Sequence, residues 1–464
     1  MPEENFTNTL YTNDNLFILN GLNTNLVDLI YLDPPFNTKR LFSAPIGSKA
    51  AGSSFKDMWS WEDVNEAYLE TLAANYPVLT RFIATVGRIH SNAMMAYLTY
   101  MAQRIVEMHR VLKDTGSLYL HCDPTASHYL KVLLDEIFGK NNFRNEITWK
   151  RNEMFVSSAS KKYDVTTDII FFYTKTNEYT YNPQFIKSKR DPSNSYKLTD
   201  ENGKKYQTVL ITGHKTLPSS SDNFYEYNGY TPEYGWNVAR EKLIEMDKQG
   251  LLLWKNGVCK RYKKYLDART EKVSNLWTDI ITTRGKERTG YPTQKPLALL
   301  QRIIKASSNE GGIVMDPFCG CATACVAAQQ LGRKWIGIDV EVNAVKILIE
   351  RLSDDAGIFN DFVATKLVPQ RTDIKIEPLV QTVKERLYKK QNGCCNGCGV
   401  EFEIRNLEID HIIPKAKGGG DYCENYQLLC GSCNRIKGTR TMEYLRMKIA
   451  RIESMAENKV IFGE

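Results

Sequence analysis

No run of about 18 consecutive apolar residues occurs in the 464-residue sequence, which excludes a membrane-spanning helix. No internal repeat or low-complexity tract is apparent either. The first residues, Met1 to Asn5, are polar and acidic, so we expect no export signal and a cytoplasmic protein. With 11 Cys in so long a chain, a disulfide scaffold is excluded. In a reducing compartment, clustered Cys are then metal ligands or buried thiols.

Hydrophobic residues make up 42% of the chain, enough for a large core and for two or three domains at roughly 150 residues each. The formal net charge of +7 is concentrated in one segment, because residues 180–290 hold 20 Lys or Arg against 13 Asp or Glu. This segment is also rich in aromatic residues, among them Tyr225, Tyr227, Tyr230, Tyr234, Trp236 and Trp254. Such a mixture suits contacts to phosphates and stacking on bases, with a solvated aromatic-rich insert as the alternative.

Short apolar strands alternate with helical patterns over much of the chain. The patterns predict strands at 27–32, 117–120, 168–173, 313–316 and 335–339 and helices at 93–112, 127–138, 297–307 and 323–331. This alternation indicates an α/β fold with a mostly parallel, doubly wound sheet, in which ligands bind at the carboxyl ends of the strands. Asp33, Asp316 and Asp339 all lie at such ends, so they are candidate site residues.

The segment from Ile313 to Gly320 is typical of a nucleotide-type pocket. A buried strand ends in Asp316, a turn containing Gly320 follows, and a helix begins at Thr323. Gly lets the backbone approach a ligand, and the N–H groups at the start of the helix face it. A second strand ends in Asp339, where such folds hold a ribose. An ordinary βαβ unit with an Asp cap is the alternative.

After the strand at 27–32 the chain carries Asp33, Pro34, Pro35 and Phe36. The two prolines fix the backbone and leave a carbonyl without neighbouring N–H donors. The Asp33 carboxylate and this carbonyl would accept two N–H bonds, and Phe36 would stack on a flat ring. The group is therefore suited to an exocyclic amine on a heteroaromatic ring, with a simple loop cap as the alternative.

These motifs and the segment from Gly290 to Pro296 resemble those of the β-class amino-methyltransferases of DNA. Their order is also that of the β class, since the catalytic motif comes first and the cofactor strand comes late. The resemblance covers roughly residues 8–365 and includes the stretch from Tyr119 to Tyr129. It implies a Rossmann-like fold, S-adenosylmethionine as cofactor, and double-stranded DNA as partner. It also implies that residues 180–290 are an inserted target-recognition region.

The same resemblance assigns roles to individual residues. It implies a catalytic motif formed by Asp33, Pro34, Pro35 and Phe36, and a cofactor motif that includes Thr293 and Lys295. Asp14 and Asp339 would hold the adenosine of the cofactor, and its methionine side would be lined by Asp316, Phe318 and Gly320. One departure is Ala322, which replaces a family Gly and brings a Cβ near the ligand, so we expect an altered cofactor affinity.

Residue chemistry narrows the target of methylation. Carbon-5 cytosine enzymes use a Cys within a Pro-Cys dipeptide, and no such dipeptide occurs here. Asn in place of Asp33 would have kept protein glutamine as a target, and Ser is more common there in cytosine-N4 enzymes. We therefore predict adenine N6, with cytosine N4 as the alternative; the base must leave the duplex to be reached. A structural role is predicted for His121, His128, Cys122, Cys319, Cys321 and Cys325.

Two CxxC pairs lie in the C-terminal part of the chain: Cys395 with Cys398, and Cys430 with Cys433. Tetrahedral zinc takes four thiolates, and each pair supplies two from one tight turn. We therefore predict a structural Zn²⁺ ion. Cys394 is an alternate for Cys395, and Cys423 is predicted not to be a ligand.

The residues around these pairs resemble the HNH nucleases over about residues 389–440. The resemblance implies a small zinc-stapled ββα-metal fold that holds a catalytic Mg²⁺ or Mn²⁺ ion. His411 would activate water as the general base, Asn425 would orient His411, and Asp410 and Asn434 would hold the metal ion. Asn434 stands where many members have His, which bears on the metal preference.

We therefore predict a methyltransferase domain at 1–368 containing the 180–290 insert, a charged linker at 369–388, and an HNH domain at 389–464. The predicted function is site-specific adenine-N6 methylation of DNA fused to HNH endonuclease activity. This pairing of domains is expected of a restriction–modification enzyme, or of a phage or mobile-element modification protein. We expect it in the cytoplasm of a bacterial or phage-infected cell. The alternatives are an HNH module that only grips DNA, a non-enzymatic DNA-binding protein, and an RNA target. β-class enzymes often form homodimers, and the sequence leaves the oligomeric state open.

Overall fold

The computed structural model describes residues 6–35, 40–43, 48, 54–57, 60, 64, 68–151, 161, 163, 165–187, 196–213, 223–265, 270–283, 285–291, 293–341, 343–356, 362–374 and 381–461. The chain divides into two compact units, a larger one of Met1–Asn182 with Ser274–Glu464 and a smaller one of Pro183–Val273. In these ranges no helix has both the length and the apolar character needed to cross a membrane.

The described residues form twelve α-helices. They are α1 (Asn15–Gly21), α2 (Leu69–Asn75), α3 (Pro77–Ile89), α4 (Asn92–Val111), α5 (Ser127–Leu134), α6 (Arg240–Lys248), α7 (Leu297–Ser307), α8 (Thr323–Gln330), α9 (Asn343–Ala356), α10 (Gln381–Lys390), α11 (Gly431–Lys437) and α12 (Met442–Ile461). The helix expected at 127–138 is α-helical only to Leu134 and continues as a π-helical turn, Asp135–Gly139. Gly139, with a φ of +84°, ends that turn in a conformation that favours glycine.

Nineteen strands lie in the same described ranges. They are β1 (Thr9–Tyr11), β2 (Val27–Leu32), β3 (Arg40–Ser43), β4 (Ser54–Asp57), β5 (Leu112–Cys122), β6 (Phe143–Lys150), β7 (Thr167–Thr174), β8 (Phe185–Lys187), β9 (Leu198–Thr199), β10 (Lys205–Leu210), β11 (Leu252–Lys255), β12 (Val258–Tyr265), β13 (Thr270–Lys272), β14 (Leu276–Trp277), β15 (Ile313–Asp316), β16 (Lys334–Ile338), β17 (Val363–Thr365), β18 (Leu407–His411) and β19 (Tyr426–Cys430).

Nine strands of the larger unit form one sheet in the order β14-β6-β7-β5-β2-β15-β16-β1-β17. Neighbouring strands are parallel, except that β7 is antiparallel to both β5 and β6. The mostly parallel α/β sheet expected from the alternation is thus confirmed. Because β2, β15 and β16 are adjacent, their carboxyl ends meet at one edge of the sheet, and this edge carries the candidate acids.

Helices cover the faces of this sheet, which explains the continuous apolar runs in its central strands. All four residues of β15 are buried. Ser91 caps the N-terminus of helix α4, because its hydroxyl accepts a hydrogen bond from Met94 N at 3.2 Å. Its apolar residues recur every three or four positions, and Tyr97, Met101 and Ile105 are fully buried in the main core.

The smaller unit contains a four-stranded antiparallel sheet, β11-β12-β10-β9, and helix α6. Its core is formed by Ile211, Trp236, Leu243, Met246, Leu252 and Cys259. Tyr225, Tyr227, Tyr230 and Trp254 pack against that core. These members of the aromatic stretch therefore stabilise the unit itself, and they are not the residues with which it would stack on bases.

The C-terminal part of the larger unit contains the antiparallel pair β18–β19, followed directly by α11. Helices α10 and α12 complete its core, in which Val383, Leu387, Leu428 and Leu445 are buried. The segment 369–388, expected to be a linker, therefore includes part of a helix packed into this core.

Candidate functional site

Three acidic residues lie at the edge where β2, β15 and β16 end. Asp33 directly follows β2, Asp316 is the last residue of β15, and Asp339 directly follows β16. In the chain, Asp316 lies 283 residues after Asp33, and Asp339 lies 306 residues after it. The strand order nevertheless places the three residues at the ends of adjacent strands. This edge is where open α/β sheets bind ligands.

Asp33 receives the ammonium group of Lys295 on its Oδ2 atom. The two side chains are only 16% and 10% exposed, respectively. The other oxygen of Asp33, Oδ1, is buried and has no hydrogen-bond partner among the described residues. A buried acceptor without a partner costs about 1–3 kcal/mol, so this atom is suited to accept a hydrogen bond from a ligand. Pro34 is buried beside it, and Phe36 lies outside the described residues.

The turn before α7 places Lys295. Gln294 Oε1 accepts hydrogen bonds from Thr289 N and Oγ1, both at 2.8 Å, and its Nε2 donates to Glu287 O at 2.8 Å. Thr293 is exposed and has a φ of +64°, and its carbonyl accepts a 3.4 Å hydrogen bond from Lys295 Nζ. Gln294 thus orders the turn that carries both residues expected from the sequence.

Asp316 is buried, and the half-buried Asp339 lies close enough for its charge to act on Asp316. Burial, reinforced by the charges of Asp33 and Asp339, raises the pKa of Asp316 well above its usual value, although its carboxylate accepts a 3.0 Å bond from Phe318 N. Burial also raises the pKa of Asp339 to about 6, against the bonds from Glu341 N and Gly320 N. Clustered acids with raised pKa values are typical of ligand sites.

The loop after β15 has a left-handed backbone at two positions. Gly320 has a φ of +49°, donates its N–H to Asp339 Oδ2 at 2.7 Å, and a Cβ there would lie 2.9 Å from the Tyr291 ring. Ala322 has a φ of +57° and is fully buried. A left-handed conformation costs a non-glycine residue roughly 1–2 kcal/mol, so the departure at Ala322 adds strain as well as a Cβ.

Asp14 caps helix α1, because its Oδ1 accepts from Leu16 N at 2.8 Å. The same oxygen accepts from Nη2 of the buried Arg104 at 2.8 Å. Asn15 Oδ1 receives Arg104 Nε at 2.5 Å, and Asn15 Nδ2 donates to Pro317 O at 2.8 Å. Sequence reasoning missed Arg104 and Asn15; the signal available was a single Arg on the apolar face of the helix at 92–111.

His121, expected to be structural, is fully buried in a hydrogen-bonded chain. Its Nδ1 lies 3.0 Å from Tyr31 Oη, and its Nε2 lies 3.1 Å from Asp168 Oδ2. Asp168 in turn pairs with Arg151 at 3.1 Å. Four further residues expected to be structural are buried free thiols: Cys122, Cys319, Cys321 and Cys325. His128, by contrast, is exposed.

Four cysteines come together at the base of the β18–β19 hairpin. The sulfurs of Cys395, Cys398, Cys430 and Cys433 all lie within 4.8 Å of one another. Tetrahedral zinc binds thiolates at about 2.3 Å, and four sulfurs in so small a space fit such an ion. Cys394 is not in this group; its sulfur contacts Asn392 O at 3.5 Å.

His411, the last residue of β18, is held by a residue that sequence reasoning missed. Its Nε2 lies 2.8 Å from Asp421 Oδ1, whose carboxylate also accepts from Lys415 Nζ at 2.7 Å and Tyr426 Oη at 3.2 Å. Burial acts to raise the pKa of Asp421, but the bonds from Lys415 and His411 hold it below its usual value. The available signal was an Asp directly after Gly418, Gly419 and Gly420.

Asn425 closes the loop between His411 and β19. Its Oδ1 accepts from Ile413 N at 2.8 Å, and its Nδ2 donates to Ile413 O and Gly420 O, both at 3.0 Å. The buried amide therefore fixes the backbone two residues after His411.

Asp410 and Asn434 lie on facing elements. Lys437, buried on α11, places its ammonium group 3.0 Å from Asp410 Oδ2, and Asn434 Nδ2 donates to Glu408 Oε2 at 2.6 Å. Glu408 and Asp410 share one face of β18, as residues two apart do. Carboxylate and amide oxygens are ligands that Mg²⁺ and Mn²⁺ prefer. Here the partner of Asp410 is Lys437, and the partner of Asn434 is Glu408.

Comparison with known proteins gives matches over both parts of the chain. A DNA methylase family model matches residues 27–350, and an HNH endonuclease family model matches residues 395–440. The type II methyltransferase M.EcaI of Enterobacter cloacae is 30% identical over 371 residues, which are 78% of this chain and 73% of that protein.

A second relative is the Mod subunit of the type III restriction-modification enzyme StyLTI of Salmonella typhimurium. It is 28% identical over 353 residues, 71% of this chain, and the chain spans about half of its length (51%). Among solved structures, the M1.HpyAVI–SAM complex matches 74% of this chain and 98% of its own, at 16% identity and a TM-score of 0.35.

Proposed function

The chain belongs to the DNA methylase family and also carries an HNH domain, and we propose that it methylates adenine N6 in DNA and cleaves DNA. The observation that carries the methylation proposal is the buried Oδ1 of Asp33, which has no hydrogen-bond partner in the described part of the chain and lies at the edge that also holds Asp316 and Asp339. Asp33, Pro34, Pro35 and Phe36 are assigned to the target base.

The proposed chemistry at Asp33 is electrostatic. The exocyclic amine of the base donates one N–H to Asp33 Oδ1, which aligns the nitrogen lone pair for attack. S-adenosylmethionine, when bound, supplies an electrophilic methyl group on a sulfonium. On transfer of this methyl group from the sulfonium to the amine nitrogen, the Asp33 carboxylate would stabilise the positive charge that develops on the nitrogen. Lys295, bonded to Oδ2, holds the carboxylate in place, and the surplus proton leaves the methylated amine for water.

The acids at the strand ends are assigned to the cofactor. Asp14 and Asp339 are proposed to bind its adenosine, and Asp316, Phe318 and Gly320 to line its methionine side. Gly320 supports this assignment, because its left-handed backbone and contact with Tyr291 leave no space for a side chain. Thr293 and Lys295 are proposed to close the same site from the turn before α7.

Adenine is favoured over cytosine by the carboxylate of Asp33, where cytosine-N4 enzymes more often have Ser. The DNA adenine methyltransferase YhdJ of Escherichia coli is a relative, 24% identical over 75% of this chain and 83% of its own length. Motif-resolved sequencing of modified bases in DNA from cells expressing the protein tests the proposal. N6-methyladenine at one sequence motif is expected, and N4-methylcytosine instead would favour the alternative.

The smaller unit is proposed to contact DNA through one face of β10 and β12. Tyr206 lies directly across from Tyr265, and their ring centroids are 5.8 Å apart. Lys263 Nζ lies 5.6 Å from the Tyr206 ring centroid. Because alternate residues of a strand face opposite sides, Arg261 and Lys263 share the face of Tyr265, whereas Tyr262 and Lys264 face the other side. Cations interleaved with aromatic rings suit a nucleic-acid backbone and its bases.

Replacing Arg261 and Lys263 together by Ala is expected to weaken DNA binding and to flatten its salt dependence. Each phosphate that the protein no longer neutralises should lower the slope of log affinity against log salt by about 0.9, so the pair should lower it by up to about 1.8. The matched control compares two single variants, Lys263→Ala on this face and Lys264→Ala on the opposite face, which remove equal charge. Equal slopes for these two variants would show that this face does not bind DNA.

The HNH domain is proposed to be an active nuclease. His411 would take a proton from the attacking water, Asp421 and Asn425 would hold His411 and its loop, and Asp410 and Asn434 would hold Mg²⁺ or Mn²⁺. The ion, when bound, would neutralise charge on the leaving oxygen. A restriction–modification enzyme would combine both activities, and a module that only grips DNA is the rival proposal.

We also propose that Cys395, Cys398, Cys430 and Cys433 bind structural zinc, and removing it is expected to unfold the HNH domain. About fifty residues bury too little surface to fold without such a staple. With a chelator, limited proteolysis should cut residues 389–440 rapidly while residues 1–365 stay protected. Metal analysis of the surviving protein provides the control, and a protease-resistant tail without zinc would contradict the assignment.

A further inference from the structure

Helix α1 is connected at its N-terminal end to the cofactor edge of the sheet. Asn15 donates to Pro317 O, in the loop directly after Asp316, and Asp14 caps the helix. The buried guanidinium of Arg104 bonds to both side chains. A change in the loop after β15 therefore reaches α1 through hydrogen bonds that leave little room for adjustment.

The next residues of α1 pack against the nuclease loop, which we define as residues 412–421. Leu16 and Ile413 are buried together with Tyr68 in a small apolar cluster, and Phe17 packs against this cluster. This contact joins side chains that are 397 residues apart in the chain.

Two polar and steric contacts add to this packing. Asn20 Nδ2 donates to Gly418 O at 3.2 Å. Gly418 has a φ of +87°, and a Cβ built there would lie 2.4 Å from a ring carbon of Phe17. Only glycine allows the Phe17 ring to lie so close to the loop backbone.

The segment that leads into the HNH domain contacts the residues that follow the C-terminal end of α1. Asn23 Nδ2 donates to Thr372 Oγ1 at 2.8 Å, and Thr24 N donates to Asp373 Oδ2 at 2.8 Å. The segment expected to be a charged linker therefore contacts the residues after α1.

The nuclease loop is held from both sides. Asn425 bonds to the backbone N–H and carbonyl of Ile413, and α1 buries the side chain of the same residue. Ile413 lies two residues after His411, so its position sets the direction in which the chain leaves β18.

We propose that α1 is a shared support for the two sites, through which cofactor binding at the strand ends restricts the nuclease loop and the placement of His411. The coupling rests on the proposed cofactor but not on nuclease activity. Because coupling between sites is reciprocal, the order of the nuclease loop also favours cofactor binding.

Hydrogen exchange of the full-length protein, with and without S-adenosylhomocysteine, tests the coupling without any activity assay. The amides of Gly418 and Gly419 donate to carbonyls within the loop, and the amide of Ile412 donates to Asn425 O, so all three report on opening of the loop. The compound is expected to slow their exchange by about tenfold in the wild type. In Gly418→Ala, exchange should be fast in both conditions, because the new Cβ meets Phe17.

Gly399→Ala is the matched control, since Gly399 lies in the same domain with a φ of +72° and open space around its Cβ position. Equal loop exchange in the two variants would overturn the docking. Calorimetry of the compound separates the remaining outcomes. Binding without a change in loop exchange would overturn the coupling, whereas no binding would overturn the cofactor assignment and the coupling with it.

Discussion

Replacing Asp33 by Ala is expected to lower the rate of methyl transfer by on the order of 10³-fold and to leave cofactor affinity within a few-fold of the wild type. The reason is the geometry of the carboxylate: Oδ2 is bonded to Lys295, while the buried Oδ1 has no partner among the described residues. This oxygen would accept a hydrogen bond from the target amine, whereas the cofactor is assigned to other residues. Methylation of DNA and titration of the cofactor are measured separately.

Asp135→Ala is the matched control for this variant. Asp135 is also paired with a lysine, Lys131, at 2.7 Å, but its second partner is Tyr173, which lies across from Leu118 in the middle of β5 and not at the strand end that precedes Asp33. Its removal should leave methylation unchanged. A parallel loss of methylation and cofactor binding in Asp33→Ala would show that Asp33 serves the cofactor or the fold.

The grouping of the three acids at the sheet edge could be predicted from the sequence, because parallel strands end on the same side. Asp33, Asp316 and Asp339 each follow an apolar run, and the alternation of strands and helices then requires a common edge. The role of Lys295 at Asp33 could not be predicted in this way. The two residues are 262 positions apart, and neither motif alone indicates which group its side chain reaches.

In the HNH domain too, local groupings could be predicted from the sequence, and contacts between distant segments could not. The spacing of Cys395, Cys398, Cys430 and Cys433 predicts their grouping, since each pair comes from one local turn. The contact between Ile413 and α1 depends on how two distant segments pack, and no local pattern predicts it. Sequence reasoning therefore expected a domain connected by a linker, whereas the structure has a loop packed on the methyltransferase fold.

Replacing His411 by Ala is expected to reduce DNA cleavage by at least about 10³-fold and to leave methylation at the wild-type rate. His411 is the sole His in residues 369–464, so no imidazole of that segment can replace it as the base. Its side chain contacts Asp421 and Tyr426 within the HNH domain, not the strand ends that hold Asp33. Both activities are assayed with magnesium or manganese on DNA that carries the recognition site without methylation.

Asp410→Ala should give the same separation of activities, since it removes the proposed metal ligand, and zinc content should stay unchanged in both variants. The two variants differ in how metal concentration acts: added Mn²⁺ should partly restore a site with weakened metal binding but not one that lacks the base. Cleavage by His411→Ala at the wild-type rate would refute the assignment of His411. If the wild type does not cut its site in any methylation state, the domain binds DNA without cleaving it, even though Asp410, His411 and Asn425 are intact.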